Sequence, residues 1–414
     1  MRLPQTLRVL HNPAFRRLWL AQVVSLIGDW FTLIALSVIV SRASGGSGLA
    51  VAGLLLMQFL PTAFIGPFSG VLADRFDRRR LLVASDALRA GLILLLIPVV
   101  HAGSLPPVYA LAFLHFTVAT VFEPARQALL PRLVEPHELV PAATLATITW
   151  SVAAAVGSVL GGTTLATVGL TSAFVIDALT FVTSGILIAS IGLPAARREP
   201  VSPETGGPGF LDGLRYLRGH PVTAAVLGVK SLGAGFAITD TFLVLYATRV
   251  FPLGEGGAGS LGLLWACFGV GALLGPILLN LANDGTVRRM RRLIVAGSVL
   301  ITVGMTSLGA APGLAIAALA VVVRGMGGAT NWTYSTIVLQ KSVPDRLLGR
   351  VFALDLALLT LVAAGTSLLW GWLADTWGIR STVFFVAGLS LLPLAAWASA
   401  LPWMERSETA QPGV

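Results

Sequence analysis

The chain has 414 residues, 55% hydrophobic and 11% charged, with a net charge of +9, whereas a soluble domain carries roughly 25% charged residues. That balance excludes an ordinary soluble enzyme and indicates a polytopic membrane protein, because apolar runs repeatedly reach the ~20 residues that cross a bilayer. The 45 glycines and 23 prolines fit packed membrane helices, where neighbours re-satisfy the backbone and small residues permit close approach.

Twelve spans are predicted, at 18–40, 49–73, 81–100, 107–125, 142–167, 171–193, 221–248, 257–280, 293–311, 313–336, 351–375 and 380–402. The first is about twice the length of a signal-peptide core and no small-residue cleavage site follows it, so it is expected to stay in the mature protein. The polar stretch 194–220, with Pro200, Pro203, Gly206, Gly207, Pro208 and Gly209, has the composition of a flexible linker. It divides an N-terminal six-helix bundle (1–193) from a C-terminal six-helix bundle with a short tail (221–414). All lysines and arginines except Arg42, Arg89, Lys230, Arg249, Arg324 and Arg380 fall in alternate inter-span segments. This positive-inside pattern places both termini and the linker in the cytoplasm of a multi-pass inner-membrane protein, and it accounts for the basic excess without nucleic acid.

Several chemistries find no residues to carry them. The single Cys267 excludes an internal disulfide, and His11, His101, His115, His137 and His220 form no pair at metal-ligand spacing. A Walker A loop needs a lysine after glycine, but Lys230 and Lys341 follow Val229 and Gln340. No nucleophile–base set stands out. No metal, cofactor or enzymatic activity is expected.

An internal echo supports the division. Gly53, Leu54, Leu55 and Gly66, Pro67 recur as Gly262, Leu263, Leu264 and Gly275, Pro276 at an offset of 209. The segment 134–139 aligns with 342–347 at an offset of 208. Six spans lie between the copies, so both halves keep one orientation, as in a parallel repeat about the membrane normal.

Between spans two and three, Gly70, Asp74, Arg75, Arg78 and Arg79 form a G-x-x-x-D-R-x-x-R-R pattern that resembles the loop signature of the major facilitator superfamily. Asn12, Pro13, Phe15, Arg16, Arg17 and Trp19, followed by Gln22, Ser25, Gly28 and Asp29, are similar to the branch holding enterobactin exporters and macrolide efflux pumps. In span five, Gly157, Ser158, Gly161 and Gly162 are similar to that superfamily's antiporter motif, with serine where proline is usual. The resemblance implies an all-α major facilitator fold, a cavity lined by spans one, four, seven and ten, and a cytoplasmic gate motif of Gly70, Asp74, Arg75 and Arg78. There Asp74 would face the N-terminal end of span eleven near Arg350, a dipole interaction worth ~0.3–1 kcal/mol when exposed.

Ionisable groups at membrane depth cost several kcal/mol unless paired or hydrated, and each is a functional candidate. Asp29 in span one and Arg324 in span ten lead, with Lys230 and Asp240 in span seven and His115 and Glu123 in span four as further substrate or coupling candidates. A structural alternative pairs Asp29 with Arg324. Lys230 and Asp240 are ten positions apart and do not share a helix face. Asp86 and Arg89, three apart, are expected to form a local pair supporting the gate motif. Asp177 and Asp355 are assigned to structure or gating.

The sequence therefore indicates a monomeric secondary transporter in the lipid bilayer that exchanges protons for a small hydrophobic or amphipathic substrate. One aspartate suffices for such exchange, since drying favours the protonated acid and a nearby cation favours the ionised one. Export of an anionic siderophore, or lysolipid flipping, is the alternative within transport. A non-transporting sensor or assembly factor is the alternative outside it.

Overall fold

The protein is described from a computed structural model, which covers residues 8–66, 69, 75–192, 210–237 and 240–409. Among these residues the chain is helical and contains no strand. The helices of the first half are α1 (Pro13–Ala43), α2 (Gly48–Phe64), α3 (Arg78–His101), α4 (Leu105–Leu129), α5 (Leu139–Thr167) and α6 (Leu170–Ala189). After α7 (Phe210–Gly219) come α8 (Pro221–Ala237), α9 (Asp240–Leu245), α10 (Ala258–Asn280), α11 (Val287–Ala310), α12 (Leu314–Ser342), α13 (Asp345–Trp377), α14 (Ile379–Leu389) and α15 (Leu391–Thr409). Eleven described stretches are long and apolar enough to cross a membrane, the pairs α8–α9 and α14–α15 each lying within one. Helix α2, 17 residues long, is a shorter apolar helix, and most of the residues between it and Arg75 lie outside the described set. In the stretch read as a linker, the described part is mostly helical, since Phe210–Gly219 forms α7.

Helix starts follow from local sequence. Pro13 at the first turn of α1 has no amide to satisfy, and the Asn12 side chain accepts from the amides of Ala14 (3.0 Å) and Phe15 (3.3 Å). Asp77 caps α3 by accepting from Arg80 N at 2.9 Å, and Thr286 caps α11 by accepting from Arg289 N at 3.1 Å. Helix α1 ends where Gly45 and Gly46 adopt φ of +66° and +84°, the left-handed region that stops a helix.

Within the first half, α1 packs on α5 and α6, and α3 packs on α4 and α6; within the second, α12 packs on α10 and α11, and α8 on α13. Two helix pairs make the most extensive contacts between the halves, α5 with α10 and α2 with α13, and α1 and α2 also touch α9 or α10. Large apolar side chains such as Leu94, Leu95, Ile186 and Leu319 point outward, as expected where hydrocarbon rather than water is the solvent.

The termini of the chain define one end of the bundle, since the start of α1 meets the end of α6 through Arg17 and the Ser190 carbonyl, while Glu405 of α15 meets Arg288 and Arg292 at the start of α11. The opposite, far end carries the α1–α2 turn, the start of α10 and the end of α13.

Candidate functional site

The interior of the first half holds five ionisable side chains from four helices. Asp29 on α1 is ion-paired with Arg89 on α3, and the Nε2 of His115 on α4 lies 3.9 Å from the same carboxylate oxygen. The guanidinium sits over the Phe181 ring at 4.0 Å and near Phe122 at 5.9 Å, a cation–π setting that supports a desolvated charge. Asp177 on α6 accepts from the hydroxyls of Thr32 and, at 3.2 Å, Thr180. Asp86, one turn from Arg89 on α3, is 0% exposed. Asp29 alone keeps substantial open surface, its side chain being 33% exposed against 5% for Arg89 and 2% for His115.

This arrangement depends on a missing side chain. A Cβ on Gly28 would lie 1.9 Å from Thr180 Oγ1 and 2.4 Å from Asp177 Oδ1, so only glycine lets α6 bring its acid against α1. The expected local pair of Asp86 with Arg89 is thereby corrected: Arg89 reaches across to Asp29 because α1 and α3 both pack on α6. The alternative partnership of Asp29 with Arg324 is corrected by the same pair.

In the second half the charges are engaged separately. Lys230 on α8 donates to Asp355 on α13 at 2.5 Å and to Thr336 on α12 at 3.1 Å, with Trp332 at 4.3 Å from its ammonium. Asp240 and Arg324 act on one another electrostatically, and the Arg324 guanidinium lies 5.0 Å from the Phe268 ring centroid. Glu123 does not join the first-half cluster. It is bound by Arg126 (2.6 Å) and Gln127 (2.9 Å) two helical turns further along α4.

Of the loop signature, Gly70 and Asp74 lie outside the described residues; Arg75 is exposed and Arg78 opens α3. The antiporter-like glycines divide between two interfaces. Cβ atoms on Gly157 and Gly161 would meet the α1 backbone at Ile27 and Phe31 within 3.2 Å, whereas one on Gly162 would meet Ala258 O at 2.7 Å and Gly262 Cα at 3.0 Å on α10. Ser158 is 0% exposed, and its carbonyl would stand 2.5 Å from a Cβ on Gly262. Proline there would change the hydrogen bonding of α5 where α5 meets α10.

Sequence reasoning missed a latch at the far end. Asp375 at the end of α13 accepts from Ser47 Oγ (2.8 Å), Gly48 N (2.7 Å) and Leu49 N (3.0 Å), capping α2 from the other half of the chain. Arg249 lies 3.7 Å from the same carboxylate and donates to Gly46 O at 3.1 Å. Arg42 pairs with Glu255 at 2.7 Å, and Ser41 donates to Thr248 at 2.9 Å. A cap of this kind is worth ~0.5–2 kcal/mol, so Asp375→Ala is expected to shift the equilibrium toward far-end opening by roughly two- to thirtyfold. Spin-label distances between residues 44 and 253 in the full-length protein measure that shift, and unchanged distances would remove the latch role.

Comparison with known proteins adds family and fold. A family model described as transmembrane secretion effector matches residues 5–412. Macrolide efflux protein A of Streptococcus pyogenes is 26% identical over 398 residues, covering 92% of this chain and 94% of that protein. The enterobactin exporter EntS of Shigella boydii is 27% identical over 345 residues, covering 82% and 80%. The crystal structure of the nucleoside transporter NupG aligns with a TM-score of 0.71 over 93% of this chain and 98% of that one, at 12% identity, a likeness of fold alone.

Proposed function

Because the chain belongs to the transmembrane secretion effector family of the major facilitator superfamily, we propose that this transporter is a proton-coupled exporter of small hydrophobic or amphipathic compounds, acting as a monomer by alternating access. In this reading both termini are cytoplasmic, and the far end, latched by Asp375, is the outer face. Efflux-type relatives support export. The observation that carries proton coupling is Asp29: a partly open carboxylate at the middle of α1, held by Arg89 and close to His115.

The chemistry follows from counting charge. Asp29, Asp86 and Asp177 together face one guanidinium and one imidazole, and a low-dielectric interior does not hold three carboxylates against a single cation. Part of the charge is therefore balanced by protons, and a group that binds a proton in one access state and loses it in the other couples the gradient to the conformational cycle. Export of an anionic siderophore draws less support, since Lys230 and Arg324 are both buried and each acts on an aspartate. Proton-driven flux in vesicles tests the proposal and separates it from a non-transporting sensor, which would bind compounds without moving them.

A further inference from the structure

Asp86 is the cluster's unexplained member. It is 0% exposed, and neither carboxyl oxygen accepts a hydrogen bond of good geometry from a described residue. Its Cβ lies 3.6 Å from where a Cβ on Gly185 of α6 would stand, so the acid is enclosed by packing. Only the Ser184 hydroxyl and, through space, the Arg89 charge act on it, and an enclosed carboxylate with so little support is costly unless a stronger partner reaches it in another state. Arg89 is placed to be that partner. It stands three residues further along α3, within side-chain reach on the same face, and its Nε has no partner among the described residues.

We propose that Arg89 serves two acids in turn, and that Asp86 is the second proton-binding residue of the transport cycle. This inference rests on the proton-exchange reading above. In the state described here the guanidinium holds ionised Asp29, and Asp86 carries a proton. When Asp29 gains a proton, the guanidinium transfers to Asp86, whose O–H bond breaks and releases its proton. One carboxylate and one guanidinium are paired throughout, so the net charge of Asp29, Asp86 and Arg89 together is conserved. Asp86 precedes Arg89 on α3 by three residues, ~4.5 Å toward the terminal-side end, so the second acid lies on the terminal side of the cation that both acids share.

The other charged groups facing this pair behave differently. Asp177 has an oxygen bonded to each of Thr32 and Thr180, which holds it on α6. His115 approaches Asp29 rather than Asp86, and Glu123 is occupied by Arg126 and Gln127.

The test is a set of melting curves across pH on purified full-length protein, without substrate or gradient, so that it reads partner exchange alone. Asp29→Asn keeps Arg89 on Asp86 and is expected to melt near wild type. Asp86→Asn is expected to melt near wild type at alkaline pH and to develop a deficit on acidification, because protonated Asp29 then leaves Arg89 without a carboxylate. Asp29→Asn with Asp86→Asn is expected to show the deficit at every pH, or to fail to express where both single variants express. Asp177→Asn should lack the acid-dependent deficit. A melting profile of Asp86→Asn that tracks wild type across pH overturns the proposal, as does an Asp29→Asn protein as damaged as the double variant. Should the melts behave as expected while vesicles show no proton-driven flux, the transport reading fails and the partner exchange stands.

Discussion

Asp29→Asn is expected to abolish proton-driven accumulation, a loss of at least tenfold, while the protein still folds and still binds or exchanges substrate downhill. Asparagine resembles the protonated acid in shape but has no proton to release. Arg89 would meanwhile turn to Asp86 one helical turn away, so the interior keeps a paired cation. A purely structural role predicts a different pattern. Breaking a buried ion pair without replacement costs about 3–5 kcal/mol, which would lower expression and melting temperature together with transport. Flux and thermal stability measured on the same preparation separate these outcomes. Full active transport by a well-folded Asp29→Asn protein would move the coupling function elsewhere.

Gly162→Leu is expected to be strongly disruptive at the junction of the halves. Alanine alone would put its Cβ 2.7 Å from Ala258 O, and leucine adds three further carbons to a site already in contact with backbone on both sides. Overpacking of this kind costs about 1–3 kcal/mol. The cost falls on the state in which α5 and α10 touch, so the equilibrium shifts roughly 5- to 150-fold toward outer-open conformations. Accessibility of a cysteine placed at Ser41, buried at this end in the closed form, should rise while transport falls. Retained flux with unchanged accessibility would show that the close crossing is dispensable. Gly157→Ala, directed at α1 rather than α10, should disturb the packing within the first half without this opening.

Much of the architecture could be read from local residues. Asn12 and Pro13 announce the start of α1, the alternation of basic segments divides the loops, and the apolar runs mark the helices that the structure contains. Asp29 stood out because a carboxylate near the middle of an apolar span has few bland explanations. Its partner did not stand out. Spacing along one helix favours Asp86 for Arg89, and the winning contact depends on three helices meeting, with Gly28 allowing the close approach that spacing rules do not encode. The same limit hid the Lys230–Asp355 pair, whose members lie on spans seven and eleven. Asp375 was overlooked for a different reason: an acid at the end of a span reads as a solvated terminus until the start of α2 is seen against it. Roles for Asp74 and Gly70 remain with the sequence argument, since both lie outside the described residues.

Proton-gradient-driven flux in proteoliposomes tests the central claim most directly. With the cytoplasmic face outward and the lumen acidified, wild-type protein should accumulate radiolabelled quaternary-ammonium amphiphiles, whose fixed charge prevents passive weak-base trapping, in the lumen above the external concentration, and protein-free vesicles should not. Lumenal pH should rise in step, and a protonophore should collapse both signals. Equilibration of every compound in the panel to the external concentration, with or without the gradient and with folded, correctly oriented protein, would contradict proton-coupled export.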